Sequence, residues 1–154
     1  MKNDFFSKGR SVSDLKAHLV LTTKYRRQVF TGEMINRLHE VFEALLEQQD
    51  CKLVSFDGEK DHVHLLIQYH PDIHLSKFVN SLKSVSSRKI RVEFGEQLAK
   101  TYYKKPVLWN SSYFIASCGG VTISALKKYI EHQNTPEMGN KDPVQNSSHT
   151  HAPL

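Results

Sequence analysis

Asp61-His62-Val63-His64-Leu65-Leu66-Ile67 is the stretch from which the rest of the chain can be read. It is aliphatic, short, and free of Gly and Pro, which is the pattern of a strand. Strand side chains alternate between faces, so His62 and His64 share one face while Val63 and Leu65 take the other. Two imidazoles side by side on a rigid strand form half of a divalent-metal site. The same spacing also fits two partly exposed histidines on a strand that merely packs. A third ligand, a reactive group and a partner surface elsewhere in the chain decide between the two.

Working outward, residues 53–56 read as a second strand, and Asp57-Gly58-Glu59-Lys60 as the turn that returns it antiparallel to the His62 strand. Pro71-Asp72 ends the hairpin. Upstream, the branched residues of 18–23 predict another strand. Thr31 is the N-cap of a helix whose Ile35, Leu38, Val41, Phe42, Leu45 and Leu46 form one apolar stripe for the core. Downstream, residues 74–94 predict a helix that buries Leu75, Phe78, Val79, Leu82, Val85 and Ile90. Residues 95–108 read as irregular, 109–118 as a fourth strand, and Gly119-Gly120 as a break. Residues 121–133 read as a last helix.

The order strand, helix, strand, strand, helix, strand is that of an α+β ferredoxin-like fold, with an antiparallel sheet, helices on one face and an added C-terminal helix. In that topology the first and third strands are neighbours at the sheet centre. The His62 strand is then central, which is a rigid mount for a site.

With 154 residues and a hydrophobic fraction of 39%, the chain is large enough for one domain with a real core. Lys plus Arg outnumber Asp plus Glu by 21 to 16, a formal charge of +5 that leans towards a polyanionic partner. Cys51 and Cys118 lack CxxC spacing and suggest a reducing compartment. No signal-peptide or membrane-span pattern is present in the sequence, so a cytoplasmic protein is expected. Residues 1–14 read as a polar lead-in and 135–154, rich in Pro and Ser, as a disordered tail. His149 and His151 repeat the His-x-His spacing there, on a segment that preorganises nothing.

Lys24-Tyr25-Arg26-Arg27 places bases around an aromatic ring, as a strand end in solvent would, or as a contact to phosphates and bases. The helix over 74–94 carries Lys77, Ser81, Ser84, Arg88 and Arg91 away from its apolar side, with Ser86 and Ser87 added. Serine is a weak helix former, and a face of hydroxyls and bases suits a nucleic-acid backbone. On the last helix, Tyr129 and Gln133 are four apart and share a face. If that helix covers the sheet, Gln133 could complete a three-ligand metal site beside His62 and His64, with Tyr129 next to it.

Taken together, these residues resemble the single-tyrosine transposases of small bacterial insertion sequences, the TnpA type of the HUH endonucleases. HUH denotes His, a hydrophobic residue, His, matched by His62-Val63-His64. Tyr129-Ile130-Glu131-His132-Gln133 resembles the nucleophile motif. Thr23-Lys24-Tyr25-Arg26-Arg27, Trp109-Asn110 and Ser112-Tyr113-Phe114 are similar to further family signatures, in order, over residues 15–134.

The resemblance implies that His62, His64 and Gln133 bind magnesium or manganese, and that Tyr129 attacks a phosphodiester of single-stranded DNA. It implies a 5′-phosphotyrosine, a free 3′-hydroxyl, and DNA hairpins near the element ends as the recognised partner. Excision needs two cleavages and the chain offers one clear nucleophile, so at least two chains are expected. The family is dimeric, often with tyrosine helices exchanged between protomers. Lys24, Tyr25, Arg26, Arg27, Lys83, Arg88 and Arg91 are the candidate DNA contacts.

Three other readings compete. A domesticated, repeat-associated tyrosine transposase would use the same residues. A non-enzymatic ferredoxin-like nucleic-acid-binding module would stack bases on a Gly- and aromatic-rich strand motif, which is missing here. A phosphoesterase with two histidine motifs lacks its second ordered motif.

Overall fold

Ala17, Leu19 and Leu21 recur at every second position, as do Val63, Leu65 and Ile67, and all six are buried in one core. That shared face decides how the chain folds. In this computed structural model, which describes residues 6–8, 11–117 and 130–131, the strands are β1 (Phe6–Lys8), β2 (Ser11–Ser13), β3 (Leu15–Thr22), β4 (Lys52–Glu59), β5 (His62–Tyr69) and β6 (Phe114–Ser117). The helices are α1 (Gly32–Gln48), α2 (Leu75–Glu93) and α3 (Gly95–Tyr102), with a 3-10 turn over Lys24–Arg26. Four strands form one sheet in the order β4-β5-β3-β6, every neighbour antiparallel. β3 and β5 are the central pair, in register from Leu15↔Tyr69 to Thr22↔His62. The fold is α+β and ferredoxin-like, as the element order predicts.

α1 begins where the sequence says it should: the Thr31 hydroxyl accepts from the Met34 amide at 3.2 Å and caps the first turn. Its stripe of Met34, Leu38, Phe42 and Leu46 joins Phe78, Val79, Leu82 and Ile90 of α2 over one face of the sheet. Each such fully buried aliphatic side chain stabilises the fold by about 1.5–3 kcal/mol. Arg37 of α1 grips both Glu93 carboxylate oxygens of α2, at 2.7 and 3.0 Å. That pair is exposed, so it orients the helices more than it holds them.

Several elements depart from expectation, each for a long-range reason. β4 runs on through Asp57 and Gly58 to Glu59, so the hairpin turn is only Lys60-Asp61. Gly58 pairs with Val63 as a strand residue, and the position takes glycine because α1 crosses close above it: a Cβ there would lie 2.9 Å from Ile35 Cγ2. Residues 95–108 are not all irregular, because Leu98 and Tyr102, one turn apart, bury themselves and fold α3. The fourth strand is shorter than residues 109–118 predict. Trp109 makes only an isolated bridge to Thr23, and ordered pairing with β3 starts at Phe114. The first central strand starts earlier, at Leu15, and the polar lead-in contains the β1–β2 pair.

Ser86 also departs from the solvated serine face. It is fully buried, and its hydroxyl accepts the Trp109 indole N–H at 3.0 Å while donating to the Lys83 carbonyl at 3.2 Å. The helix tolerates serine there because a buried indole needs an acceptor. Ser86→Ala should leave that N–H unpaired and cost about 1–3 kcal/mol in chemical denaturation. An unchanged midpoint would mean that the bond contributes nothing.

Candidate active site on the histidine face of the sheet

The helices α1 and α2 cover one face of the sheet, and His62 and His64 project from the other. Their ring centroids are 5.0 Å apart and inclined at 69°. Cross-strand neighbours fill in the surface around them: Thr22 and Val20 on β3, Glu59 and Asp57 on β4. His62 is buried and His64 half-buried.

Asp61, the turn residue just before the pair, organises it. One of its carboxylate oxygens meets His62 Nδ1 at 2.8 Å, and the other accepts from Arg26 Nη2 at 3.0 Å. A carboxylate on Nδ1 holds the proton there and leaves Nε2 with its lone pair for a metal ion. Arg26 reaches Asp61 from the 3-10 turn after β3, where Tyr25 and Arg26 both have positive φ, of 60° and 52°. The turn itself is tied down by the Thr23 hydroxyl, which donates to the Arg27 carbonyl at 2.7 Å. The His-x-His spacing alone assigns Asp61 no role. An acidic residue directly ahead of a His-x-His strand was the available signal.

Ile130 lies on this same face. It is helical, and it packs against Val20 and Phe114, which form a small cluster of their own away from the main core. Val20 is the direct cross-strand partner of His64. The Ile130 carbonyl also accepts a long bond from Arg26 Nη1, at 3.5 Å. Ile130 follows Tyr129 in the chain. Tyr129 and Gln133 themselves lie outside the described residues, as do the Gly119-Gly120 break and the tail over 135–154.

The donor set suits a divalent ion as far as it is described: two imidazoles from one strand face, one of them oriented by a carboxylate. Among the described residues no group of three His, Cys, Asp or Glu could hold a metal. The third ligand expected from the sequence, Gln133, is of another kind and lies outside the described residues.

Burial, first, and the neighbouring His62, second, push the His64 pKa below its ordinary 6.5; Asp57 and Glu59 oppose the shift and His18 adds to it. A depressed imidazole stays neutral, and so able to ligate, at lower pH than a free one. The same shift has a consequence for the metal-free protein. As pH falls through 6.5 the unfolded chain takes up a proton that folded His64 refuses, so stability present above that pH is lost as pH falls towards the folded pKa. Between about pH 7 and pH 5, Tm should fall less for His64→Gln than for the wild type. Equal slopes would overturn the assignment.

The candidate DNA contacts divide into two groups. Tyr25, Arg27 and Arg88 are exposed. Arg26 turns inward to Asp61. Lys83 donates to the Ser111 carbonyl at 2.9 Å and lies 5.5 Å from the Tyr113 ring centroid. Arg91 Nε donates to the Ser87 hydroxyl at 3.1 Å. Lys24 sits 5.4 Å from the Tyr25 ring centroid. No helix among the described residues is long and apolar enough to cross a membrane.

Comparison with known proteins agrees with this geometry. The family model described as "Transposase IS200 like" matches residues 11–133. The chain is 34% identical over 131 residues to the ISDra2 transposase TnpA of Deinococcus radiodurans, which covers 84% of this chain and 92% of that protein. It is 30% identical over 118 residues to the transposase for insertion sequence element IS200 of Salmonella typhimurium, covering 77% and 76%. A crystal structure from Deinococcus radiodurans with a transposase designation superposes with a TM-score of 0.74 at 33% identity, over 82% of this chain and 97% of that one.

Proposed function

Since the chain belongs to the IS200-like transposase family, we propose that it cuts and rejoins single-stranded DNA at the ends of an insertion sequence. Tyr129 is the nucleophile in this reading, and His62, His64 and Gln133 hold a magnesium or manganese ion. The Tyr129 oxygen attacks phosphorus, a new ester bond forms to the 5′ side, and the bond to the 3′ oxygen breaks. The products are a 5′-phosphotyrosine and a 3′-hydroxyl. The intermediate keeps the energy of the phosphodiester, so a second DNA end can be joined without ATP.

The observation that carries this reading is the seat of Ile130 on Val20, the strand partner of His64. It supports a tyrosine helix on the histidine face. A bound divalent ion would polarise a non-bridging phosphate oxygen and offset charge in the transition state. Asp61 keeps the His62 ring in one orientation, and Arg26 links Asp61 to the helix backbone. In this reading exposed Arg27, one residue beyond Arg26, would contact the DNA backbone. Two cleavages per excision and one nucleophile per chain call for a homodimer, with each tyrosine used once.

The test is direct. A single-stranded oligonucleotide carrying the DNA that flanks the gene, with magnesium or manganese, should give a covalent protein–DNA adduct on a denaturing gel. No adduct with either flank and either metal would overturn the proposal.

A further inference from the structure

Tyr103 stands where a glycine would be expected. The turn from Tyr102 to Lys105 closes with the Lys105 amide donating to the Tyr102 carbonyl at 3.0 Å. Tyr103, its second residue, has φ 57° and ψ −124°. Those are the dihedrals of a type II′ turn, a position that glycine fills because a side chain there crowds the backbone. Holding a tyrosine in it costs stability. The ring gives none back by packing, because the residue is 76% exposed. A ring that the backbone disfavours and the core does not use is best explained by a ligand.

The surroundings indicate which ligand. Tyr103 borders a cleft of about 270 Å³ together with Arg91, Lys104 and Lys105, and none of the described residues lining it is acidic. That volume is below the roughly 300–1,000 Å³ of small-molecule pockets, so the cleft suits part of a chain rather than a whole ligand. Tyr25 likewise combines a positive φ, 60°, with 60% exposure, and Lys24 lies 5.4 Å from its ring centroid. The two turns are joined, since the Tyr102 hydroxyl donates to the Lys24 carbonyl at 2.7 Å and the Lys24 amide to the Leu108 carbonyl at 2.8 Å. Beyond Tyr25, Arg26 leads to Asp61 and His62. Exposed rings alternating with cations are how proteins hold single-stranded nucleic acid, since every base has a face to stack.

We propose that Tyr103, with Arg91, Lys104 and Lys105, is a stacking site for a base of single-stranded DNA that continues past Tyr25 to the His62–His64 face. The site rests on the DNA-cleaving reading for its choice of ligand. Fluorescence anisotropy with a labelled single-stranded oligonucleotide in EDTA measures it without chemistry. Tyr103→Gly should weaken binding by about 5- to 100-fold, the loss of one stacked base, and should raise Tm by a few degrees. Tyr103→Phe should keep wild-type affinity.

Unchanged affinity in Tyr103→Gly overturns the site. A lower Tm in that variant overturns it too, because the ring would then have a packing role. Tighter binding of an acidic peptide than of DNA would overturn the ligand. If the wild type still forms the covalent adduct, such failures leave the cleavage chemistry standing. A wild type that neither binds single-stranded DNA nor forms the adduct overturns both.

Discussion

Tyr129→Phe is expected to abolish covalent adduct formation, lowering it by about 10³-fold or more, while single-stranded DNA still binds in EDTA. Phenylalanine keeps the ring and removes only the oxygen that would join to phosphorus. A phenol has a pKa of about 10, so the nucleophile must lose its proton during attack. The chain has six tyrosines, and the structure argues most directly against Tyr102 and Tyr69. Tyr102 is buried, its pKa pushed up to about 12 chiefly by that burial, and its hydroxyl is committed to the Lys24 carbonyl. Tyr69 packs against the main core, and burial raises its pKa as well. Tyr25 and Tyr103 are set out along the surface, and the Tyr113 ring lies beneath the Lys83 ammonium. A retained adduct in Tyr129→Phe would show that one of these five is the nucleophile. The anisotropy measurement separates lost chemistry from lost binding.

What could be read from the sequence was what local periodicity encodes. Alternation in β3 and β5 fixed their buried faces, and with them the side of the sheet on which His62 and His64 stand. The apolar stripe of α1 and its Thr31 cap are equally local. Where one residue's state depends on a distant partner, sequence reading failed. Gly58 reads as a turn residue, yet it is a strand position where Ile35 of α1 leaves no room for a side chain. Ser86 looked solvated, and it is buried because Trp109 needs an acceptor. α3 escaped notice because eight residues with two buried side chains are too short for a period to show. Arg26 read as one base among several in a DNA-contacting cluster. Its inward turn is set by Asp61, far along the chain, and by two successive positive φ angles. Tyr103 was invisible for the same reason, since its strain exists only once the turn is built.

Metal removal is expected to have an effect as large as loss of the nucleophile, and graded changes around the histidines should reveal how the half-site works. EDTA and His64→Ala should each reduce adduct formation to background, because either leaves the developing phosphate charge without its main counterweight. Asp61→Ala should be milder, weakening divalent-ion affinity by about 10- to 100-fold as the His62 ring loses its orienting partner. Manganese should act at lower concentration than magnesium, since two imidazoles suit it better than a hard, oxygen-seeking ion. Metal affinity can be read by titration calorimetry with no DNA present, so the Asp61 effect does not depend on the reaction. Full activity in EDTA, or in His64→Ala, would remove the metal from the mechanism. The same variants bear on how chains cooperate. A mixture of Tyr129→Phe and His64→Ala contains intact tyrosines on one chain and intact histidines on the other. Recovered adduct would assign the tyrosine helix to the partner's histidines; no recovery would keep it on its own sheet, where Ile130 meets Val20. In either arrangement the strand would supply the fixed half of the site, because β5 is held between β4 and β3 from His62 to Gln68. Exchange of the expected tyrosine helix would leave the core intact, since Ile130 packs in a cluster separate from the one under α1 and α2.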